Sequence, residues 1–346
     1  MLTMARRQNP AISNFILRNV ADHPGGIASL AVAKFSLSRN AINRYINRLI
    51  DDGYLEAEGK TKGRRYRLKE IVRLDFEIGD ITRNSSEDAV WRFRILPHIK
   101  DVPRNVVDIC QYGFTEMFNN VIDHSLSETA LVSYSQTYAR IEISVMDAGV
   151  GIFRKIQDDF ELPDPQSALL ELSKGKLTSD TERHSGEGIF FTSRMFDEFN
   201  IMSGDLLYRR ERDEDSEWLI EVGDVASPTE GTAVQMVIAT DTPRTTKEVF
   251  DQYIGDDVRF RKTHVPIKLG KYPGEQLVSR SQAKRILARF EQFSEIILDF
   301  NGVEDIGQPF ADEIFRVYKN VHPEITLVAM WTNDNVQKMI DYVSRQ

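Results

Sequence analysis

The polar side chains best placed to do chemistry lie in two short stretches. In the first, Phe114-Thr-Glu116-Met-Phe-Asn119-Asn120-Val-Ile-Asp123-His124, a carboxylate and an amide stand four positions apart and a second carboxylate follows three later. At helical spacing Glu116, Asn120 and Asp123 share one face, while Cys110, Phe114, Met117 and Val121 supply an apolar back. Such a helix shows a carboxylate and an amide to a cleft. In the second stretch Asp147 closes the apolar run Ile141-Glu-Ile-Ser-Val145-Met146, and Gly149 and Gly151 follow it. The run reads as a strand of a covered sheet, and the glycines let the chain turn away without a Cβ penalty. Asp147 is then an acceptor carboxylate at a strand end beside a flexible loop.

The elements that must hold these groups belong to a large chain. With 346 residues and 41% hydrophobic composition, it has enough material for two or three domains with cores. There is no run of 18 apolar residues, and Met1 to Pro10 carries Arg6 and Arg7 but no stretch of signal-peptide type, so a cytoplasmic location and no membrane partner are expected. The single cysteine, Cys110, excludes an intramolecular disulfide and a cysteine zinc cluster, and its apolar helical surroundings make it core filler. Charge is uneven. Residues 1 to 70 carry 13 Lys/Arg against 6 Asp/Glu, a local +7 that leaves −16 for the rest of a chain whose total is −9. A basic head on an acidic body is the asymmetry of a nucleic-acid-binding segment.

Within that head the pattern predicts a helix over Ile12 to Ala21, ended by His23-Pro24-Gly25-Gly26, and another over about Ile27 to Lys34. A third opens at Leu37-Ser38-Arg39-Asn40, with Ser38 as N-cap and Ile42, Tyr45, Ile46 and Leu49 at helical spacing. Arg39, Asn40, Asn43, Arg44 and Asn47 then point outward, and arginine and asparagine can make bidentate contacts with guanine and adenine edges. A hairpin from Leu55 to Leu68 follows, its Gly59 and Gly63 flanking a lysine-bearing tip. Over about sixty residues this resembles the winged helix-turn-helix of bacterial transcription regulators. The resemblance implies that Ser38, Arg39, Asn40, Asn43 and Arg44 face the major groove of DNA, and Lys60, Lys62, Arg64 and Arg65 the phosphates. Winged helices also serve as protein-docking modules.

The stretches around Glu116 and Asp147 resemble the GHKL superfamily of gyrase, mismatch-repair ATPases, heat-shock chaperones, histidine kinases and anti-sigma serine kinases, over roughly residues 85 to 242. Glu116 and Asn120 match its Glu-x-x-x-Asn motif, Asp147, Gly149 and Gly151 its Asp-x-Gly-x-Gly motif, Gly186 and Gly188 a glycine-rich motif before a helical stretch ending near Phe199, and Gly231-Thr232 its late Gly-Thr. The leading glycine of the third motif is missing, with His184 and Ser185 in its place. The resemblance implies ATP with Mg²⁺. Asn120 offers an oxygen to Mg²⁺, a hard cation that takes few protein ligands beside phosphates, with Asp123 on the same face. Glu116 orients or deprotonates the water that attacks the γ-phosphate. Asp147 accepts the adenine amino proton, Thr232 lies near the adenine, and the N–H groups at Gly186 and Gly188 meet phosphates at a helix N-terminus. His124 either contacts the phosphates or is packed at a helix end.

Residues 152 to 185 read as one long segment covering the ATP, from which Lys174, Lys176 or Arg183 approaches the triphosphate. From about Lys247 the pattern changes to α/β, with a helix over 278–292, a strand over 293–300, a helix from Phe310 to Val317, a strand from Ile325 to Met330 and a last helix from Val336 to Val343. The stretch Ile297 to Glu313 resembles STAS domains, the fold of anti-sigma antagonists. In those antagonists a serine after this strand is phosphorylated; Ile306-Gly307-Gln308-Pro309 has no hydroxyl there, which favours docking or dimerisation over a phospho-switch.

The expectation is a multidomain α+β and α/β protein: a winged helix (1–70), a GHKL α/β sandwich of Bergerat type (71–245) and a STAS-like α/β domain (246–346). Its expected function is to couple the nucleotide state of an ATPase-like site to DNA binding. The alternatives are a serine/threonine protein kinase or partner switch acting on an external protein, and a sensor that binds ATP without turnover.

Overall fold

A computed structural model describes residues 9–60, 63–82, 85–177, 186–211, 216–221, 230–254, 260–272 and 274–345. The chain opens with α1 (Pro10–Asn19), α2 (Ile27–Phe35) and α3 (Arg39–Asp51). Asn9 caps α1 by accepting from the Ala11 N–H at 3.1 Å, with Pro10 preset for the first turn, and Ser38 caps α3 by accepting from Ala41 N–H at 3.3 Å. The strands β1 (Leu55–Glu58) and β2 (Arg65–Leu68) pair antiparallel, Leu55 opposite Leu68. Ile12, Ile16, Ile27, Ile42, Ile46 and Leu55 bury into a core that belongs to this head alone. An Arg18–Asp241 ion pair and the Tyr54–Tyr138 edge contact, ring centroids 4.1 Å apart, join the head to the body.

The body begins with β3 (Glu70–Ile78), α4 (Glu87–Val90) and α5 (Arg104–Asn120), then β4 (Ala130–Thr137) and β5 (Arg140–Asp147). After α6 (Ile152–Asp159), α7 (Pro165–Lys174) and α8 (Gly188–Met195) come β6 (Glu198–Ser203), β7 (Leu206–Glu211), β8 (Ser216–Glu221), β9 (Thr232–Ala239) and α9 (Thr246–Tyr253). The strands form one seven-stranded sheet in the order β3-β4-β5-β9-β6-β7-β8, every neighbouring pair antiparallel. The apolar back of α5, with Ile109, Cys110, Phe114 and Met117, is buried against β5 and β9. This seats its polar face at the rim of the sheet, as the helical spacing requires.

The remainder contains β10 (Lys262–Pro266), α10 (Arg280–Leu287), β11 (Glu295–Asp299), α11 (Gln308–Asp312), α12 (Lys319–Val321), β12 (Thr326–Met330) and α13 (Asp334–Ser344). Its three strands are parallel in the order β10-β11-β12. The buried apolar residues of body and tail form one continuous core in which Phe260 packs on Phe190, Phe191 and Phe293. Among the described residues no helix is long and apolar enough to cross a membrane.

The structure corrects three expectations. Residues 152–177 are not one loop but hold α6 and α7, because Phe153 and Ile156 bury one side of the first and Asp164 caps the second. The stretch after Gly188 leaves the helix at Met195, and Phe199 lies in β6. The helix expected over 278–292 stops at Leu287, since Ala288 is extended (ψ 131°) and Arg289 is left-handed (φ 66°).

Candidate functional site

A cavity of about 390 Å³ opens beside the end of α5. Its wall includes Glu116 and Asn120 of α5, Asp147 of β5, Gly151, Gly186, Gly188 and Thr232. Asp147 and Thr232 are register partners on adjacent strands, so a carboxylate and a hydroxyl come side by side at one sheet end. The Asp147 carboxylate accepts from Gly149 N–H at 2.8 Å, and the Thr232 hydroxyl accepts from Ile152 N–H at 3.0 Å, tying the start of α6 to the sheet. Burial pushes the Asp147 carboxyl above its ordinary value, and the Gly149 and Thr232 N–H groups pull against that. Gly149 does not line this cavity but backs it: a Cβ there would lie 1.9 Å from the Ser125 carbonyl oxygen, a position only glycine can take.

On the opposite wall the Glu116 carboxylate rests on the backbone of Gly188, where a Cβ would be 2.1 Å from Oε2. The acid thus stands at the first turn of α8, whose leading N–H groups have no partner within the helix itself. Burial, reinforced by the charges of Glu116 and Glu187, pushes the Tyr112 hydroxyl strongly upward. Gly186 is left-handed (φ 70°), and its carbonyl accepts from Leu177 N–H at 3.0 Å.

Glu116 and Asn120 line the cavity, but Asp123 does not. Residues 121–125 form a π-helical turn, which advances fewer degrees per residue than an α-helix, and His124 rather than Asp123 lines the cavity. Lys155, Asp159 and Phe160 also line it, with Lys155 Nζ 2.5 Å from Asp159 Oδ1. Sequence reasoning missed them because a Lys–Asp pair four apart reads as a solvated helix face. Conversely, Lys174 and Lys176 do not enter the cavity. Lys174 is buried, donating to Glu171 at 2.5 Å and to the Ala288 carbonyl at 2.8 Å, and burial holds its ammonium below its ordinary value. Lys176 donates to the Gln292 carbonyl at 2.8 Å. Arg183, His184 and Ser185 lie outside the described residues. Among the described residues no cluster of three His, Cys, Asp or Glu suits a metal, so a cation in this cavity would need oxygens from its ligand as well as from Asn120.

In the head, Ser38, Arg39, Asn40 and Arg44 are exposed along α3 and Asn43 is half-buried. Lys60, Arg64 and Arg65 are exposed around the hairpin tip, and Lys62 lies outside the described residues. The Arg39 guanidinium donates to the Ser29 hydroxyl at 3.4 Å, and Arg64 lies over the Tyr66 ring. The head therefore exposes arginine and amide groups along α3 and basic groups on its hairpin.

The parallel sheet with helices following β11 and β12 has a counterpart among known families. Residues 282–337 match the STAS-like domain of unknown function (DUF4325). The C-terminal domain is STAS-like. The match runs from α10 through β11, α11 and β12 into α13, and β10, which precedes it, completes the sheet. No curated protein matches the chain.

Proposed function

We propose that this chain is an ATP-binding regulator with a GHKL-type site in its centre and a winged-helix DNA-binding head. The observation that carries this reading is the pairing of Asp147 with Thr232 on one wall of a cavity whose other wall bears Glu116 and Asn120. Asp147 accepts the adenine amino group and so selects adenine over guanine. The start of α8 and Lys155 face the phosphates, where unpaired N–H groups and a cation favour an anion. Mg²⁺, held by Asn120 and phosphate oxygens, would neutralise charge on the phosphates. In hydrolysis the oxygen of a water bonds to the γ-phosphorus, the bond to ADP breaks, and the water proton passes to Glu116.

On this reading Arg39, Asn40, Asn43 and Arg44 read base edges while Lys60, Lys62, Arg64 and Arg65 neutralise phosphates, and nucleotide state shifts the population of DNA-competent chains. Calorimetric titration of ATP–Mg²⁺ tests the site. Binding by wild type and loss in Asp147→Asn support it, and a folded sample with no affinity for any adenine nucleotide defeats it. Phosphate release lost in Glu116→Ala, with binding kept, identifies hydrolysis.

A second reading is favoured by the STAS-like match, since domains of that kind often mediate protein contacts: transfer of phosphate to a serine or threonine of a separate protein. Radiolabel appearing on a partner instead of as free phosphate distinguishes the two. DNA affinity that is equal with and without ATP–Mg²⁺ would refute the coupling.

A further inference from the structure

The STAS-like domain reaches the cavity wall through Arg289 as well as through the packing of Phe260 on Phe190. Arg289 follows α10 in a left-handed backbone conformation (φ 66°), which turns its side chain back toward the body. Its guanidinium lies 4.7 Å from the centre of the Phe160 ring, its Nε is 3.7 Å from Glu171 Oε2, and its Nη2 donates to the Lys176 carbonyl at 3.0 Å. Each of these groups is at most a step from the cavity. Phe160 lines it directly, Glu171 precedes Leu172 and Lys176 precedes Leu177, and both leucines line it. The same strip of body is bound to the tail by Thr263, whose hydroxyl donates to the Lys174 carbonyl at 2.6 Å, and by the Lys174 and Lys176 bonds to Ala288 and Gln292. Gly175, between the two lysines, packs so tightly that a Cβ would lie 2.8 Å from the Phe260 ring.

We infer that Arg289 is a positioning residue for the nucleotide cavity: from the STAS-like domain it holds Phe160, Glu171 and Lys176 in the arrangement that binds ATP, so the two domains respond to nucleotide together. The inference rests on the ATP reading of the cavity. An arginine suits the place because its flat guanidinium lies over a ring while its edge pairs with a carboxylate and donates to a carbonyl; a lysine ammonium is a point donor and cannot do both. The linkage is reciprocal: whatever tilts the tail alters ATP affinity, and ATP stiffens the tail.

Arg289→Gly is the informative variant, because glycine adopts the left-handed backbone without a Cβ penalty and only the interactions of the side chain disappear. The full-length protein is titrated with ATP–Mg²⁺ by calorimetry, and amide exchange is followed with and without it. The expected result is an on-the-order-of-tenfold weaker ATP affinity in Arg289→Gly, with cooperative unfolding retained. In wild type, ATP slows exchange at residues 172–177 and 288–293, and in the variant it no longer slows exchange at 288–293. Wild-type affinity in Arg289→Gly overturns the inference while leaving the ATP site standing. So does a wild-type chain that binds ATP without slowing exchange at 288–293, a measurement that needs no variant to fold. A wild-type chain that binds no ATP removes the site and the inference together.

Discussion

Asp147→Asn probes the acceptor end of the cavity and separates binding from stability. The Asp147 Oδ1 already accepts the Gly149 N–H at 2.8 Å. An asparagine keeps that bond with its own oxygen, which places its NH₂ where the second carboxylate oxygen stood. A donor then faces the adenine amino group, itself a donor. Losing a hydrogen bond to a charged acceptor costs about 1.5–3 kcal/mol, so ATP affinity falls roughly 10- to 150-fold at about 1.4 kcal/mol per decade. The same NH₂ suits the oxygen of guanine, and GTP affinity holds or rises.

Stability moves the other way. Burial raises the folded-state pKa of Asp147 above its ordinary value of 3.8, so the folded chain binds this proton more tightly than the unfolded chain does. Stability therefore falls as pH rises through the window from 3.8 up to the raised value, and the cost is complete above it. At neutral pH the ligand-free variant unfolds at a higher temperature than wild type, and the gap closes as pH drops toward 3.8. Calorimetric titrations with ATP and GTP, and thermal unfolding across pH, read both effects. Equal ATP affinity in the two proteins, or a variant less stable than wild type at neutral pH, would refute the reasoning.

Gly149→Ala places a methyl 1.9 Å from the Ser125 carbonyl oxygen, which also accepts the Val150 N–H at 2.9 Å. The loop must move, costing about 1–3 kcal/mol in stability together with most ATP affinity, as denaturant melts and calorimetry will show; unchanged values would show that the loop has room. Arg64→Ala with Arg65→Ala lowers DNA affinity alike for all sequences and reduces the slope of log affinity against log salt by about 0.9 for each phosphate no longer neutralised, measured by fluorescence anisotropy; a constant slope would remove the hairpin from the DNA surface. Lys155→Met weakens ATP more than adenosine, a comparison that calorimetry makes directly, and equal losses for both would place Lys155 away from the phosphates.

What the sequence determined was local. Glu116 and Asn120 share a face because both lie within α5, where an i, i+4 pair is fixed by helix geometry. Asp147 could be placed at a strand end because an apolar run stops there and glycines begin. The Ser38 cap of α3 and the apolar patterns of β11, β12 and α13 were legible for the same reason: each depends on neighbours a few residues away. The STAS-like character of the tail was readable from Ile297 to Glu313.

The tertiary structure decided the rest. The π-helical turn at 121–125 exchanged Asp123 for His124 at the cavity, since the phase of a helix past its last regular turn depends on what it packs against. Lys155 and Phe160 became cavity residues because the start of α6 is tied to Thr232 of β9 and the helix packs against α7 and the turn at 121–125. Lys174 and Lys176, whose charge suggested phosphate, are bound instead by carbonyls of residues 288 and 292, more than a hundred positions away. Arg289 joins them through a backbone kink which no helical periodicity reveals. Spacing along a chain specifies which side chains share an element's face, but which faces meet is set by the packing of elements far apart in sequence.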